Sequence, residues 1–277
     1  MKRVTTAGEL EALRQLLTNE KDPDKPCITV CGGTGCRTSG SEQVIAAFRE
    51  EVGRKGLGAA VDVVATGCHG FCERGPVVVI KPQQIFYQRV APDDASEIVS
   101  ETIANGRIIE RLLYTDPATG RKIAYEHQVP FYQQQKRVVL DQNGIIDPTS
   151  ICDYIAFGGY AALAKALCGM TPEQVIEEIQ AAKLRGRGGA GFLTGMKWRL
   201  CRQAAGDVKY VICNADEGDP GAYMDRSVME GNPHRVLEGM IIGAYAIGAE
   251  QGFVYIRNEY PLAVKHLRTA IEQAQEY

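Results

Sequence analysis

The sequence has no run of about eighteen apolar residues, the length a helix needs to cross a bilayer. Its start, Met1-Lys2-Arg3-Val4-Thr5-Thr6, also lacks the apolar stretch of a secretory signal. No direct membrane insertion is expected, and the expected compartment is the cytoplasm. A long basic run is missing as well. With 31 Lys and Arg against 34 Asp and Glu, the formal net charge of −3 offers no cationic cluster for nucleic-acid phosphates, so nucleic acid is excluded as a main partner. No C-x-x-C pair occurs, which removes a thioredoxin-type dithiol. Internal repeats and low-complexity tracts are absent too. What remains is the profile of an ordinary globular protein, 277 residues long, 45% hydrophobic and 23% charged, with room for two domains.

Cysteine, by contrast, is abundant. Nine thiols in a reducing compartment point to metal or redox chemistry rather than to disulfides. Cys31 and Cys36 form a C-x4-C pair, and Cys68 and Cys72 a C-x3-C pair. Gly32, Gly33 and Gly35 let the first loop bend, as Gly67, Gly70 and Gly75 do the second, leaving backbone N–H groups free to donate to sulfur. Cys27, Cys152, Cys168, Cys201 and Cys213 stand singly among apolar or helical residues and read as small core residues. Four thiolates satisfy an iron–sulfur cluster or a structural zinc, and the residues alone leave both open.

Leucines at helical spacing from Leu10 to Leu17 predict a leading helix, ended by Asp22-Pro23-Asp24-Lys25-Pro26. A buried strand at 27–30 runs into the first cysteine loop, and Ser41 is expected to cap a helix through Val52. Strands follow at 61–64, 77–80 and 85–90, the second cysteine loop lying between the first two. A helix from Asp93 then stops at Asn105-Gly106. This places a first domain at 1–106 and, at 107–159, a polar lead-in expected to wrap onto the second domain. Residues 160–277 read as alternating helices and strands of a mostly parallel sheet. Thr171-Pro172-Glu173-Gln174 is a capping box opening one of its helices. At Tyr277 the sheet is short of strands, so a truncated polypeptide is expected.

Two loops in that region carry binding chemistry. Gly186-Arg187-Gly188-Gly189-Ala190-Gly191 formally matches G-x-G-x-x-G, but a helix rather than a strand precedes it, against the Rossmann context. It still suits phosphate: its glycines allow close backbone approach, a helix N-terminus follows, and Arg187 and Lys197 add positive charge. A helix–helix turn would not need four glycines in six residues. The acidic loop Asn214 to Gly221 follows the strand 210–213, at the carboxyl end where ligands bind in α/β sheets. There Asn214 can present an amide to a flavin edge, while Asp216 and Glu217 can reach ribityl or ribose hydroxyls.

Residues 27–106 resemble the thioredoxin-like [2Fe–2S] ferredoxins in cysteine spacing and element order. Leu184 to Trp198 and Asn214 to Arg226 resemble the flavin subunit of respiratory complex I and its relatives in NAD(P)-linked hydrogenases and formate dehydrogenases. The implied fold class is α/β: a thioredoxin-like [2Fe–2S] domain followed by the first part of an FMN/NADH-binding domain. The resemblance implies that Cys31, Cys36, Cys68 and Cys72 bind the [2Fe–2S] cluster, and that Gly186, Arg187, Gly188 and Lys197 hold FMN phosphate and ribityl. By the same resemblance Asn214, Asp216 and Glu217 hold the flavin, and Phe192 and Asp219 lie by the nicotinamide nucleotide, NAD(H) or NADP(H). Family members commonly have an aromatic where this chain has Leu200, so adenine stacking is not expected there. No side-chain acid or base is needed for hydride transfer, and no catalytic residue is assigned. The family's [4Fe–4S] cluster is expected only in a missing C-terminal part. The implied activity is that of a flavin- and iron–sulfur-dependent NAD(P)H dehydrogenase subunit. Expected partners are a hydrogenase or formate dehydrogenase catalytic subunit and a small [2Fe–2S] subunit, and the fused ferredoxin-like domain favours the soluble hydrogenase or formate dehydrogenase type.

Overall fold

A computed structural model describes residues 3–277. In chain order the elements begin with α1 (Ala7–Asn19), β1 (Cys27–Cys31), α2 (Thr34–Thr38), α3 (Ser41–Arg54), β2 (Asp62–Thr66), β3 (Val78–Lys81), β4 (Ile85–Tyr87) and α4 (Asp94–Glu97). A short hairpin of β5 (Tyr114–Thr115) and β6 (Lys122–Ile123) follows, then α5 (Pro130–Gln133). The remainder is α6 (Ile151–Ala156), α7 (Ala161–Gly169), α8 (Pro172–Ala181), α9 (Thr194–Gln203), β7 (Tyr210–Ala215), α10 (Met224–Gly231), α11 (Pro233–Ile247), β8 (Gln251–Ile256) and α12 (Pro261–Glu276). Among the described residues, no helix is long and apolar enough to cross a membrane.

The chain divides into two compact units, one of Lys21–Ser150 with Glu230–Asn232, the other of the residues up to Glu20 with Ile151–Met229 and Pro233–Tyr277. In the first, a four-stranded sheet has the order β2-β1-β3-β4. β2 lies parallel to β1, while β3 and β4 add antiparallel strands. Successive side chains of a strand point to opposite faces, and β3 shows the effect. Val78 and Ile80 join Ile28 and Val30 under α3, whose Val44, Ile45, Phe48 and Val52 recur at helical spacing. Val77 and Val79 face the other way, against Phe86, Tyr114 and Val129 and the thiols Cys31 and Cys36.

That second face explains a departure from the sequence reading. Residues 107–150, expected to wrap onto the following domain, belong to the same unit as β1–β4. α3 and α4 cover one apolar face of the sheet, and the other is closed by Tyr114, Val129 and Tyr132. By its contacts the first unit begins at Lys21 and its main stretch ends at Ser150, with Glu230–Asn232 added to it. Smaller departures are local. Gly40, at φ 93°, is the N-cap of α3, and Ser41 is its first residue, with a buried hydroxyl that has no partner. α4 continues as π-helical turns through Ala104 before the stop at Gly106, whose φ is 68°.

In the second unit β7 and β8 pair in parallel, with Ile212 opposite Phe253. The capping box at Thr171 forms as read, its side chain accepting from Gln174 N. α11 is the central helix, packed on α7, α8, α9, α12 and both strands. Its buried Glu238 accepts hydrogen bonds from the backbone N–H groups of Tyr160 (2.9 Å) and Leu163 (3.0 Å), satisfying the start of α7. His234 is held by Tyr160 Oη at 2.8 Å and Gln273 Oε1 at 3.1 Å, and burial pushes its pKa down to about 4, so it is neutral at pH 7. α1, read from the sequence as leading the first domain, packs instead on α6 and α7.

Candidate functional site

Because β1 and β2 are parallel, with Cys31 in register with Thr66, the segments that leave them emerge at one edge of the sheet. Cys31 closes β1 and Cys36 lies one helical turn later in α2. Cys68 and Cys72 come from the loop after β2, Cys72 opening a single 3-10 turn. Cys36 and Cys68 both act on the Cys31 thiol, and the Cys68 and Cys72 sulfurs lie 3.8 Å apart. The four thiols thus adjoin in the order Cys36, Cys31, Cys68, Cys72. Among the described residues, no group of three or more His, Cys, Asp or Glu side chains is set to hold a metal ion.

Their protonation is unequal. The bonds to Cys36 and Cys68, followed by burial, push the Cys31 thiol up. Cys36 is drawn down by the bond from Cys31 and further by the Val77 backbone N–H, against the opposing effect of burial. Cys68 is drawn down by its bonds from Cys31 and Cys72 and by the Gly70 N–H, 3.3 Å from its sulfur. Three glycines are fixed by close approach: a Cβ on Gly33 would sit 2.8 Å from Cys68 Cβ, on Gly35 2.8 Å from Cys72 Sγ, and on Gly75 2.6 Å from Cys36 Sγ.

Sequence reasoning missed what covers the second cysteine loop. His69, between Cys68 and Gly70, is buried, with Nε2 3.0 Å from Thr66 Oγ1 and Nδ1 3.2 Å from Glu126 Oε1. Arg137 Nη2 donates to His69 O at 2.6 Å, and Asn143 Nδ2 to Cys68 O at 3.3 Å. Phe131 stacks on Phe71, with ring centroids 4.5 Å apart. These groups lie 57–75 positions along the chain from the loop they brace, and no local periodicity marks them.

The glycine loop joins α8 to α9. It is pinched by antiparallel pairing of Arg185 with Leu193, by Gly186 N donating to Phe192 O (2.9 Å), and by Thr194 N donating to Leu184 O (2.8 Å). Gly189 and Gly191 have φ of 101° and 61°, where only glycine is unstrained. A Cβ on Gly188 would meet nothing within 4 Å. Arg187 and Phe192 are exposed on this loop, and so is Lys197 in the first turn of α9. The loop's ends are fixed by a residue the sequence reading passed over: Gly195 is buried so tightly that its Cβ would lie 2.4 Å from Gln180 Cγ. A glycine in the first turn of a helix was the available signal.

The acidic loop leaves β7. Asn214, Asp216 and Asp219 are exposed, with Asn214 Oδ1 accepting from Asp216 N at 3.2 Å. Glu217 is not available in the same way. Its buried carboxylate accepts from the backbone N–H groups of Met224, Asp225 (3.1 Å) and Arg226 (3.4 Å) and from Tyr260 Oη (3.2 Å), while its own carbonyl accepts from Arg257. It caps α10, a helix the sequence reading did not contain. Glu217→Ala is expected to destabilise the protein by ~1–3 kcal/mol by leaving those donors unpaired. Urea denaturation checks this, and an unchanged midpoint would refute the capping role. α11 packs on both α9 and β7 and so ties the elements carrying the two loops to one support.

Residues 17–103 match the family of thioredoxin-like [2Fe-2S] ferredoxins, and residues 179–277 match the Nuo51 FMN-binding domain. The NADP-reducing hydrogenase subunit HndC of Solidesulfovibrio fructosivorans is 56% identical over 145 residues, which are 52% of this chain and 29% of that protein. The NAD-reducing hydrogenase HoxS subunit alpha of Cupriavidus necator is 32% identical over 264 residues, 93% of this chain and 41% of that protein. Among solved structures, a thioredoxin-like [2Fe-2S] ferredoxin from Aquifex aeolicus is 33% identical over 32% of this chain and 89% of its own, with a TM-score of 0.30. This chain therefore spans less than half the length of those two curated relatives. The two matched stretches are thus of an iron–sulfur type and of a flavin-binding type. In particular, a stretch similar to the thioredoxin-like [2Fe–2S] ferredoxins is followed in this chain by one similar to the Nuo51 FMN-binding domain.

Proposed function

We propose that this chain is the diaphorase-type part of a soluble, cytoplasmic, multisubunit hydrogenase, exchanging hydride between NAD(P)H and FMN and passing electrons onward to iron–sulfur clusters. The observation that carries the reading is the four-thiol cradle. Four adjoining thiols are hemmed by glycines whose Cβ atoms would collide with Cys68 and with the Cys72 and Cys36 sulfurs. Four thiolates would suit a zinc ion as well, and the match of residues 17–103 to the thioredoxin-like [2Fe-2S] ferredoxins favours the cluster. A binuclear cluster divides them, two thiolates to each iron, which suits thiols adjoining in a row.

On this reading Cys31, Cys36, Cys68 and Cys72 would ligate the [2Fe–2S] cluster, with the Gly70 and Val77 N–H groups donating to sulfur. Gly186, Arg187, Gly188 and Lys197 would hold FMN phosphate and ribityl, and Asn214 and Asp216 the flavin. Glu217 would act from behind by fixing the loop, a change from the direct contact read in the sequence. Phe192 and Asp219 would lie by the nicotinamide nucleotide. FMN, when bound, supplies the conversion between two-electron and one-electron transfer, and the protein binds and orients. A hydrogenase setting is favoured by the HoxS subunit alpha match, which runs through 93% of this chain and so through both parts. Partners would be the hydrogenase catalytic subunit and a small [2Fe–2S] subunit.

The test is anaerobic purification with metal analysis, FMN titration by fluorescence quenching, and NADH-dependent dye reduction. Two irons per chain, bound FMN and dye reduction are expected. Stoichiometric zinc without iron would overturn the cluster. Iron without FMN binding would leave only a non-catalytic electron-relay module.

A further inference from the structure

Tyr132 carries a hydroxyl for which the protein supplies no acceptor. Its Oη is buried and without a hydrogen-bond partner among the described residues. An unpaired buried hydroxyl is costly, so such an atom calls for an acceptor. The ring is fixed by aromatic neighbours. It stands edge-on to Phe71 (84°, centroids 5.9 Å apart) and to Phe86 (71°, 5.8 Å). Phe71 lies between Cys68 and Cys72 in sequence, and Tyr132 packs against the same buried cluster as Cys31 and Cys36. The polar groups near its hydroxyl are already engaged, Glu126 with His69 Nδ1 at 3.2 Å and Arg137 with His69 O at 2.6 Å. Burial first, then the charge of Glu126, push the Tyr132 pKa far up, against the charge of Arg137. The hydroxyl stays protonated, a donor on a ring packed against the buried cluster that contains Cys31 and Cys36.

We propose that Tyr132 Oη donates a hydrogen bond to sulfur of the [2Fe–2S] cluster, making Tyr132 a potential-setting residue of the redox centre. The inference rests on the cluster reading above. Donation to sulfur withdraws electron density and favours the reduced, more negative form, so it raises the reduction potential. Tyr132 belongs to the segment 107–150, outside the residues matched to the ferredoxin family, so the chain would add this control through its own extension.

The test uses the full chain with its cluster assembled anaerobically, comparing wild type with Tyr132→Phe by potentiometric titration followed by EPR. The variant keeps the ring and removes only the hydroxyl. Iron content should be unchanged, while the midpoint moves negative by about a tenfold change in the reduction equilibrium, or about 59 mV for one electron. In wild type alone, reduced-cluster pulsed EPR in H2O and D2O should show a hydroxyl-type exchangeable proton, and its absence overturns the proposal however the variant folds. Full iron with an unmoved midpoint in Tyr132→Phe overturns it too and leaves the cluster reading intact. Wild type without iron overturns both.

Discussion

A single methyl group added at Gly35 or Gly75 is expected to empty the iron site while the sheet stays folded. Carbon and sulfur in ordinary contact stand roughly 3.5–4 Å apart, whereas the added carbon would lie 2.8 Å from Cys72 Sγ in Gly35→Ala and 2.6 Å from Cys36 Sγ in Gly75→Ala. Relieving that overlap moves a sulfur by roughly 0.7–1.4 Å, several times the ~0.2 Å that a metal–ligand bond tolerates. The backbone does not object, since neither residue has a positive φ. Gly53→Ala, where a Cβ meets nothing within 4 Å, is the control and should keep its full iron. Iron analysis, visible absorbance and far-UV circular dichroism read the outcome. Full iron in both cysteine-loop variants would mean that the four thiols do not share one cluster.

The second large effect belongs to the glycine loop. Gly188→Val should abolish FMN binding without unfolding the protein, because the space a side chain would enter contains no protein atom within 4 Å of the Cβ. On the proposed reading, what the valine displaces is FMN. Lys197→Ala, from the first turn of α9, removes a charged donor worth ~1.5–3 kcal/mol, so FMN affinity should fall by roughly ten- to a hundredfold. Titration of FMN into deflavinated protein, with the iron–sulfur absorbance followed separately, distinguishes this from general damage. Unchanged affinity in both variants would return the loop to a simple connection between α8 and α9.

The parts of this fold legible in the sequence are those written in short-range pattern. β1 follows from a run of apolar residues ended by a glycine loop, and α8 from its capping box. The cysteine spacing pointed to the four thiols because both pairs end parallel neighbouring strands. What escaped was written at long range. Glu217 looked like a ligand because an acidic residue in a strand-end loop has one local reading, and only the position of α10 and Tyr260 shows its carboxylate to be engaged. Ser41 looked like a cap because serine usually is one, yet Gly40 takes that position and the hydroxyl is buried. Phe131, Tyr132 and Arg137 looked like linker because their partners, Phe71 and His69, lie some sixty residues upstream.

The packing of α1 on α6 and α7 separates, in time of synthesis, residues that are neighbours in space. Ala7–Asn19 leaves the ribosome well before α6, which begins only at Ile151. At ~5–20 residues per second, α1 waits on the order of ten seconds or more for its nearest partners. Meanwhile Lys21–Ser150, whose sheet and both covering faces lie within one uninterrupted stretch, can close first. The thiols of Cys31, Cys36, Cys68 and Cys72 would then be assembled while the remaining helices are still unmade. Iron delivery to the nascent chain is therefore possible before any flavin site exists, so maturation has a built-in order.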